Sequence, residues 1–181
     1  DRVLEYGVGL GYNLSALRCA EKAGFDVGEH LSAPLRERGI PFTTDTAGYP
    51  DGYFDVVICH HVIEHVPDPW RVLGEIRRLV RRGGTLVLNV PYEKERRYRR
   101  FRSGDRNGHL YSWNVQTLGA LVTTAGWSVK SLNLPLFGYD RFAAVVADRI
   151  GLGDRAYRFI RRGLLALRPG YEIQAVLKNA A

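Results

Sequence analysis

The 181-residue sequence has no methionine and only two cysteines, Cys19 and Cys59. Two isolated thiols exclude a disulfide framework and a cysteine-based zinc site. Both lie in apolar surroundings and read as buried thiols of a reducing compartment. No apolar run approaches the ~20 residues that span a bilayer. The first residues also lack the basic stretch and apolar core of a secretory leader, so a cytoplasmic protein is expected. The chain opens directly on a strand-like run, and an N-terminal segment is expected to be missing from it. Lysine is scarce too: 22 of the 26 basic residues are arginines, and the formal net charge is +7. A mildly basic balance does not define a nucleic-acid binder; the placement of the charge matters more. There is no internal repeat and no low-complexity linker. A composition that is 45% apolar suits one domain, residues 1–181, with a single core.

What is present is an alternation of short apolar runs with helical patterns, the signature of βα units around a parallel sheet. Strands are expected at 2–6, 25–29, 40–43, 54–59 and 85–90, with helices near 13–23, 33–38 and 69–81. The third helix is the clearest. Asp68 can cap it, Pro69 fits its first turn and Gly83-Gly84 ends it. Val72, Leu73, Ile76, Leu79 and Val80 recur at helical spacing and form its buried face. Arg71, Glu75, Arg77, Arg78, Arg81 and Arg82 read mostly as a solvated surface. Beyond Pro91 a charged segment, 93–106, precedes a helix near 114–125 that stops at Gly126. A strand at 127–134, a helical stretch over 141–167 broken at 151–153, and a last strand at 171–178 complete the pattern.

Near the start, VLEYGVGLGYN places Gly7, Gly9 and Gly11 behind an apolar run. A dinucleotide turn, G-x-G-x-x-G, needs glycine at position 12, where Tyr12 stands. The head of the turn also carries Glu5, a poor neighbour for a pyrophosphate. S-adenosylmethionine has no phosphates and carries a sulfonium and an ammonium, so an acid beside the turn helps to hold it. Glycines still let the backbone approach such a ligand without a Cβ in the way. The competing reading is a strand packed closely on a helix.

A second block, DTAGYPDGYFDVVICHHVIEHVPDPWRVLGEIRRLVRRGGTLVLNVP from Asp45 to Pro91, resembles the class I methyltransferases. The resemblance is to the small-molecule "type 11/12" group, which includes ubiquinone/menaquinone-type C-methyltransferases and many O-methyltransferases. Glu5–Gly11, Asp45…Pro50, Phe54–Val57, Ile63–Val66 and Leu79…Gly84 supply that group's motifs in order. The likeness covers 3–90 and extends more weakly to Gly126-Trp127. It implies an α/β fold: a three-layer αβα Rossmann-like sandwich whose seven strands run 3-2-1-4-5-7-6, strand 7 antiparallel. The ligand is then expected across the carboxyl ends of strands 1 and 4. Residues 1–91 become a cofactor half and 92–181 an acceptor half.

The resemblance also implies roles. Glu5 and the backbone of Gly7 and Gly9, in the turn that Gly11 completes, would hold the methionyl part of S-adenosylmethionine. Asp45 would accept from the adenine amino group and Thr46 would meet the ring through its backbone; Asp45 as a plain turn residue is the alternative. The second strand departs from the group's pattern, which ends in an acid that binds both ribose hydroxyls. Glu29 is favoured there, with His30 as the alternative, because a carboxylate accepts two hydroxyl bonds and a histidine cannot. His60 reads as a wall of the methionine side, and Glu64 and His65 as structural. No metal is expected, since a lone His-x-x-x-His pair is weak evidence for one.

In GHLYSWN, His109 is the first candidate base and Tyr111 a positioning group, with His60 and His61 behind them; a loop-ordering role for His109 is the alternative. The run from Lys94 through Arg96, Arg97, Arg99, Arg100, Arg102 and Arg106, with Tyr98 and Phe101, has three readings. These are a solvated lid, a seat for an anionic small molecule, and a contact with RNA or membrane phosphates. Ala156, Phe159, Ile160, Gly163, Leu164 and Leu167 share a helical face opposite Arg155, Arg158, Arg161, Arg162 and Arg168. Packing on the sheet is the favoured reading of that face, and a basic membrane-surface helix for a lipid-like acceptor the sharper one. The sequence thus predicts methyl transfer to a small-molecule acceptor, a hydroxyl oxygen favoured and carbon or nitrogen the alternatives, yielding S-adenosylhomocysteine. An RNA methyltransferase and a non-catalytic cofactor-binding scaffold are the rivals.

Overall fold

The computed structural model describes residues 1–93, 100, 101, 103 and 107–180. Its strands are β1 (Arg2–Tyr6), β2 (Glu21–Phe25), β3 (Phe42–Thr43), β4 (Phe54–His60), β5 (Val80–Pro91), β6 (Ser128–Asn133) and β7 (Glu172–Lys178). They form one sheet in the order β3-β2-β1-β4-β5-β7-β6. Only β7 runs antiparallel to its neighbours, β5 and β6. The helices are α1 (Tyr12–Ala16), α2 (Ser32–Glu37), α3 (Pro69–Leu79), α4 (Val115–Thr124), α5 (Asp140–Arg149) and α6 (Gly153–Leu167). The αβα sandwich with this strand order is the one expected from the motifs.

The central strands are apolar on both faces, as a covered parallel sheet requires. Leu4, Phe54, Val57, Leu86 and Leu88 are buried there with Leu73, Ile76 and Leu79 of α3. A second layer, Val3, Val8, Leu14, Leu31, Leu35 and Ile40, lies under α1 and α2. Truncating any of the fully buried leucines to alanine costs about 2–5 kcal/mol. Asp68 caps α3 by accepting from the Arg71 amide at 2.9 Å. Asn114 and Thr117 form a reciprocal capping box on α4. The Trp127 indole donates to the Leu73 carbonyl at 3.2 Å and ties the start of β6 to α3. Cys59 is buried and burial pushes its thiol up; Cys19 is half-buried. Among the described residues no helix is long and apolar enough to cross a membrane.

Besides the end of α3, which falls at Leu79 so that Val80, Gly83 and Gly84 belong to β5 rather than to the helix and its stop, two expectations need correction. The second strand is Glu21–Phe25, four residues earlier than the sequence pattern suggests, and α1 is correspondingly short. The reason is register: Arg2 to Tyr6 pair with Glu21 to Phe25, and Gly24 and Phe25 pair with Phe42 and Thr43. This buries Ala23 and Phe25, whereas Val27 is left 84% exposed. The second correction concerns α6, which packs against α5 and is tied to it by Tyr157 and Arg161 donating to Asp140. Phe159 and Leu167, expected on a packed face, are 82% and 86% exposed.

Candidate cofactor and acceptor site

β1 delivers Glu5 and Tyr6 to the carboxyl end of the sheet, and the chain then turns through Gly7, Gly9 and Gly11. Gly9 and Gly11 have left-handed φ values of 50° and 74°, which cost a side-chain-bearing residue about 1–2 kcal/mol. The Phe25 carbonyl accepts from the amides of Gly7 and Val8 at 2.8 and 2.9 Å. Asp26, the residue after β2, accepts from the amides of Gly9 at 3.0 Å and Gly28 at 3.2 Å. A Cβ on Gly11 would sit 2.6 Å from Leu35 Cδ2 and 2.7 Å from Ile40 Cδ1, so that glycine serves packing. Gly9 has no atom within 4 Å of where its Cβ would be, and it borders a cavity of about 790 Å³.

Beneath this turn Glu5 is 2% exposed. Its Oε1 accepts from Asn13 Nδ2 at 2.6 Å, while Oε2 is buried without a hydrogen-bond partner. Burial raises its carboxyl above the ordinary carboxylate range, only partly offset by hydrogen bonds from Asn13 and the Leu14 amide. A buried acid with an unanswered oxygen is matched to a cationic donor. S-adenosylmethionine therefore fits these residues on two counts: an ammonium for Glu5, and open space over Gly9 that a Cβ would fill.

The cavity wall continues through Tyr6, Asp26, Val62, Val72 and Glu75. Glu75, read from sequence as solvated, accepts from the Tyr6 hydroxyl at 3.1 Å and from the hydroxyl of Thr46. Burial, then the Glu75 carboxylate, push the Tyr6 phenol up. Arg78, also read as solvated, donates to the carbonyls of Tyr49 at 2.9 Å and Thr46 at 3.1 Å. Thr46 is thus buried and fixed beside the site. Asp45 is exposed, and its carboxylate accepts from the Ala47 amide at 2.8 Å, the turn role. Glu29 and His30 are exposed on a short 3-10 turn and do not line the cavity; Asp26 does.

On the acceptor side, His109 Nδ1 lies 2.8 Å from Glu93 Oε1, and Ser112 donates to Glu93 Oε2 at 3.2 Å. The His65 ring, part of the cavity wall, packs edge-on against His109 with centroids 4.7 Å apart. Tyr111 donates to the Pro67 carbonyl at 2.7 Å and stacks on Trp113, so it secures the loop. The Leu110 amide joins the same two loops through the Glu64 carbonyl at 2.8 Å. Glu64 is buried with neither carboxylate oxygen hydrogen-bonded, one of them 4.0 Å from His65 Nε2; with His65 and His109 it offers ligand atoms that lie within 4.8 Å of one another, a set able to hold a metal ion. His60 borders a smaller neighbouring cavity with Asn13 and Asn89, and its Nε2 is 3.4 Å from Glu172 Oε2.

Sequence reasoning missed Asp26, Glu75, Glu93 and Glu172. Asp26 had a signal, an acid directly after the buried run Ala23-Gly24-Phe25. Glu93 and Glu172 had none, because their partners are 16 and 112 residues away. Of the arginine-rich run, Lys94, Arg96, Arg97, Tyr98, Arg99, Arg102 and Arg106 lie outside the described residues; Arg100 and Phe101 are exposed.

A glycine turn laid over a buried acid, at the carboxyl edge of this strand order, belongs to the class I S-adenosylmethionine-dependent methyltransferases. Residues 1–132 match the family described as "Methyltransferase domain", and the chain belongs to that family. Among curated relatives, the ubiquinone biosynthesis O-methyltransferase of Pseudomonas aeruginosa is 36% identical over 101 residues, 49% of this chain and 44% of that protein. The chain thus spans under half the length of that relative. The Bacillus halodurans protein BH2331 superposes with a TM-score of 0.72 at 16% identity, covering 99% of this chain and 93% of that one. Phosphoethanolamine N-methyltransferase 2 of Haemonchus contortus, solved with S-adenosyl-L-methionine, gives 0.63 at 15% identity over 98% and 48% of the two chains. These two structures share the fold.

Proposed function

We propose that the protein transfers a methyl group from S-adenosylmethionine to a small-molecule acceptor, at a hydroxyl oxygen. The observation that carries this reading is Glu5, a buried acid whose free Oε2 waits under the turn bordering the large cavity. The name of the Pseudomonas aeruginosa relative supports a small molecule methylated on oxygen. Glu5 and the backbone of Gly7 and Gly9 hold the methionyl part, Asp26 takes the ribose in place of Glu29 or His30, and Thr46 meets the adenine while Asp45 shapes the turn that carries it. When bound, S-adenosylmethionine supplies an electrophilic methyl group on a sulfonium. His109 takes the acceptor's hydroxyl proton. Glu93 accepts from its Nδ1–H, which leaves the lone pair of the neutral ring on Nε2. Tyr111 acts through the loop it pins to Pro67. The acceptor is anionic or lipid-like, supported by the exposed Phe159 and Leu167 beside exposed Arg155, Arg158 and Arg162 on α6.

Calorimetric titration with S-adenosylmethionine, S-adenosylhomocysteine and NAD tests the first step. The two sulfur ligands bind and NAD does not; the reverse result refutes the reading. Binding of both without turnover of any hydroxylated acceptor would favour a scaffold. His109→Ala lowers kcat by ~10²–10⁴-fold, the usual share of a general base, and leaves cofactor affinity unchanged. An equal loss of both would remove His109 from the role of base.

A further inference from the structure

Successive residues of a strand point to opposite faces of the sheet. At the end of β4 they do not. His61 adopts φ 55°, a left-handed conformation uncommon outside glycine, and folds its ring back onto that of His60. The rings stack with centroids 4.3 Å apart and planes 22° apart. Both Nε2 atoms converge on one oxygen, Oε2 of Glu172, at 3.4 and 3.6 Å. The other oxygen of Glu172 accepts from Asn89 Nδ2 at 2.8 Å, which fixes the carboxylate with Oε2 towards the histidines. Phe137 closes over both rings. Nε2 of His61 is buried and has no hydrogen-bond partner.

We propose that His60, His61 and Glu172 form a binding site for one zinc-like divalent ion. Their three donor atoms lie within 4.8 Å of one another. A tetrahedral ion with bonds of about 2.0–2.2 Å separates its ligands by roughly 3.3–3.6 Å, the spacing that Glu172 Oε2 keeps from each histidine. Two neutral rings could each present an Nε2–H to that oxygen, but 3.4 and 3.6 Å are longer than well-formed N–H···O bonds. One divalent ion answers both nitrogens and the oxygen together. Two imidazoles and a carboxylate, with the fourth position open, make a donor set zinc accepts. Asn89 supplies the outer hydrogen bond that orients a ligating carboxylate. Side-chain exposures of 31% for His60 and 29% for His61 leave the ion a way in. The sequence reading expected no metal and did not consider this set, since Glu172 is 112 residues from His60. For the transfer itself, and resting on the O-methyl reading, an ion there would ease deprotonation of an acceptor oxygen.

The test needs neither cofactor nor acceptor. Chelator-stripped protein is titrated with Co²⁺ and Zn²⁺, followed by calorimetry and by the visible spectrum of four-coordinate cobalt. One ion per chain is expected, with affinity at least about tenfold lower in Glu172→Gln and in His61→Ala, no less than outer-shell changes already cause. His60→Gln serves as the second variant if Glu172→Gln does not fold. His109→Ala retains binding. No binding by the wild-type chain overturns the proposal. So does binding lost in His109→Ala but kept in Glu172→Gln, which would move the ion to Glu64, His65 and His109. Failure of S-adenosylmethionine to bind would sink the methyl-transfer reading and leave the metal result standing.

Discussion

In the proposed role, Glu5 trades fold stability for ligand affinity. Its carboxylate is 2% exposed with one oxygen unanswered, and burial raises its value above the ordinary 4.5. Below that ordinary value the group is protonated in both folded and unfolded chains and contributes nothing. As pH rises past it, the unfolded chain ionises more readily than the folded one, so the ligand-free fold loses stability until the raised folded-state value is passed. Glu5→Gln is therefore expected to melt higher than wild type at pH 7, with the difference vanishing in acid. The same variant should bind S-adenosylmethionine ~10–100-fold more weakly, the worth of one charge-assisted hydrogen bond. Thermal unfolding across pH, paired with calorimetry, checks both. A variant that is less stable yet binds normally would make Glu5 a structural residue. The acid and its neighbours Gly7 and Gly9 were legible in sequence because one short motif holds them. Asp26 was obscured by a four-residue error in placing the strand before it.

At the scale of elements, the β1–α1 turn divides labour among its glycines in a way that spacing alone does not reveal. Gly11 faces Leu35 and Ile40 in the layer under α2, whereas Gly9 faces open space. Gly11→Ala forces an added methyl into a filled core at a left-handed φ, an overpacking cost of about 1–3 kcal/mol. Gly9→Ala bears only the backbone cost, about 1–2 kcal/mol, but it intrudes on the approach of the cofactor. Denaturant unfolding should rank Gly11→Ala as the less stable variant. Cofactor titration should show Gly9→Ala weakened by about tenfold or more, equivalent to ~1.4 kcal/mol. If the two variants fall together in both assays, the turn acts as one packing unit and the division is wrong. β2 carries the companion lesson. Its apolar residues are few, so pairing to β1 and β3 decided its position, with Gly24 making room for Val8.

Across the whole molecule, the sheet order was legible because the motifs from Glu5 to Gly84 occur in sequence order at strand ends. Contacts between distant segments were not: Glu93 with His109, Glu172 with His60 and His61, and α6 with α5 each depend on the finished fold. The α5–α6 pair matters most for the molecule's surroundings. Phe142, Leu152, Phe159 and Leu167 are 58–86% exposed on it, and Arg149, Arg155, Arg158 and Arg162 are exposed alongside. Apolar side chains bordered by arginines, on a chain of net charge +7, complement an anionic lipid surface. Each arginine brought to such a surface contributes about 1 kcal/mol, screened within a Debye length of roughly 10 Å at 0.1 M salt. Sedimentation with phosphatidylglycerol vesicles is expected to carry the protein down at low salt and to release it as salt rises. Phosphatidylcholine vesicles should leave it in solution, and Phe159→Asp combined with Leu167→Asp should abolish co-sedimentation without loss of cofactor binding. Because the attraction is strongest at low ionic strength, no binding under those conditions would eliminate the membrane contact and leave a freely diffusing anionic molecule as the acceptor.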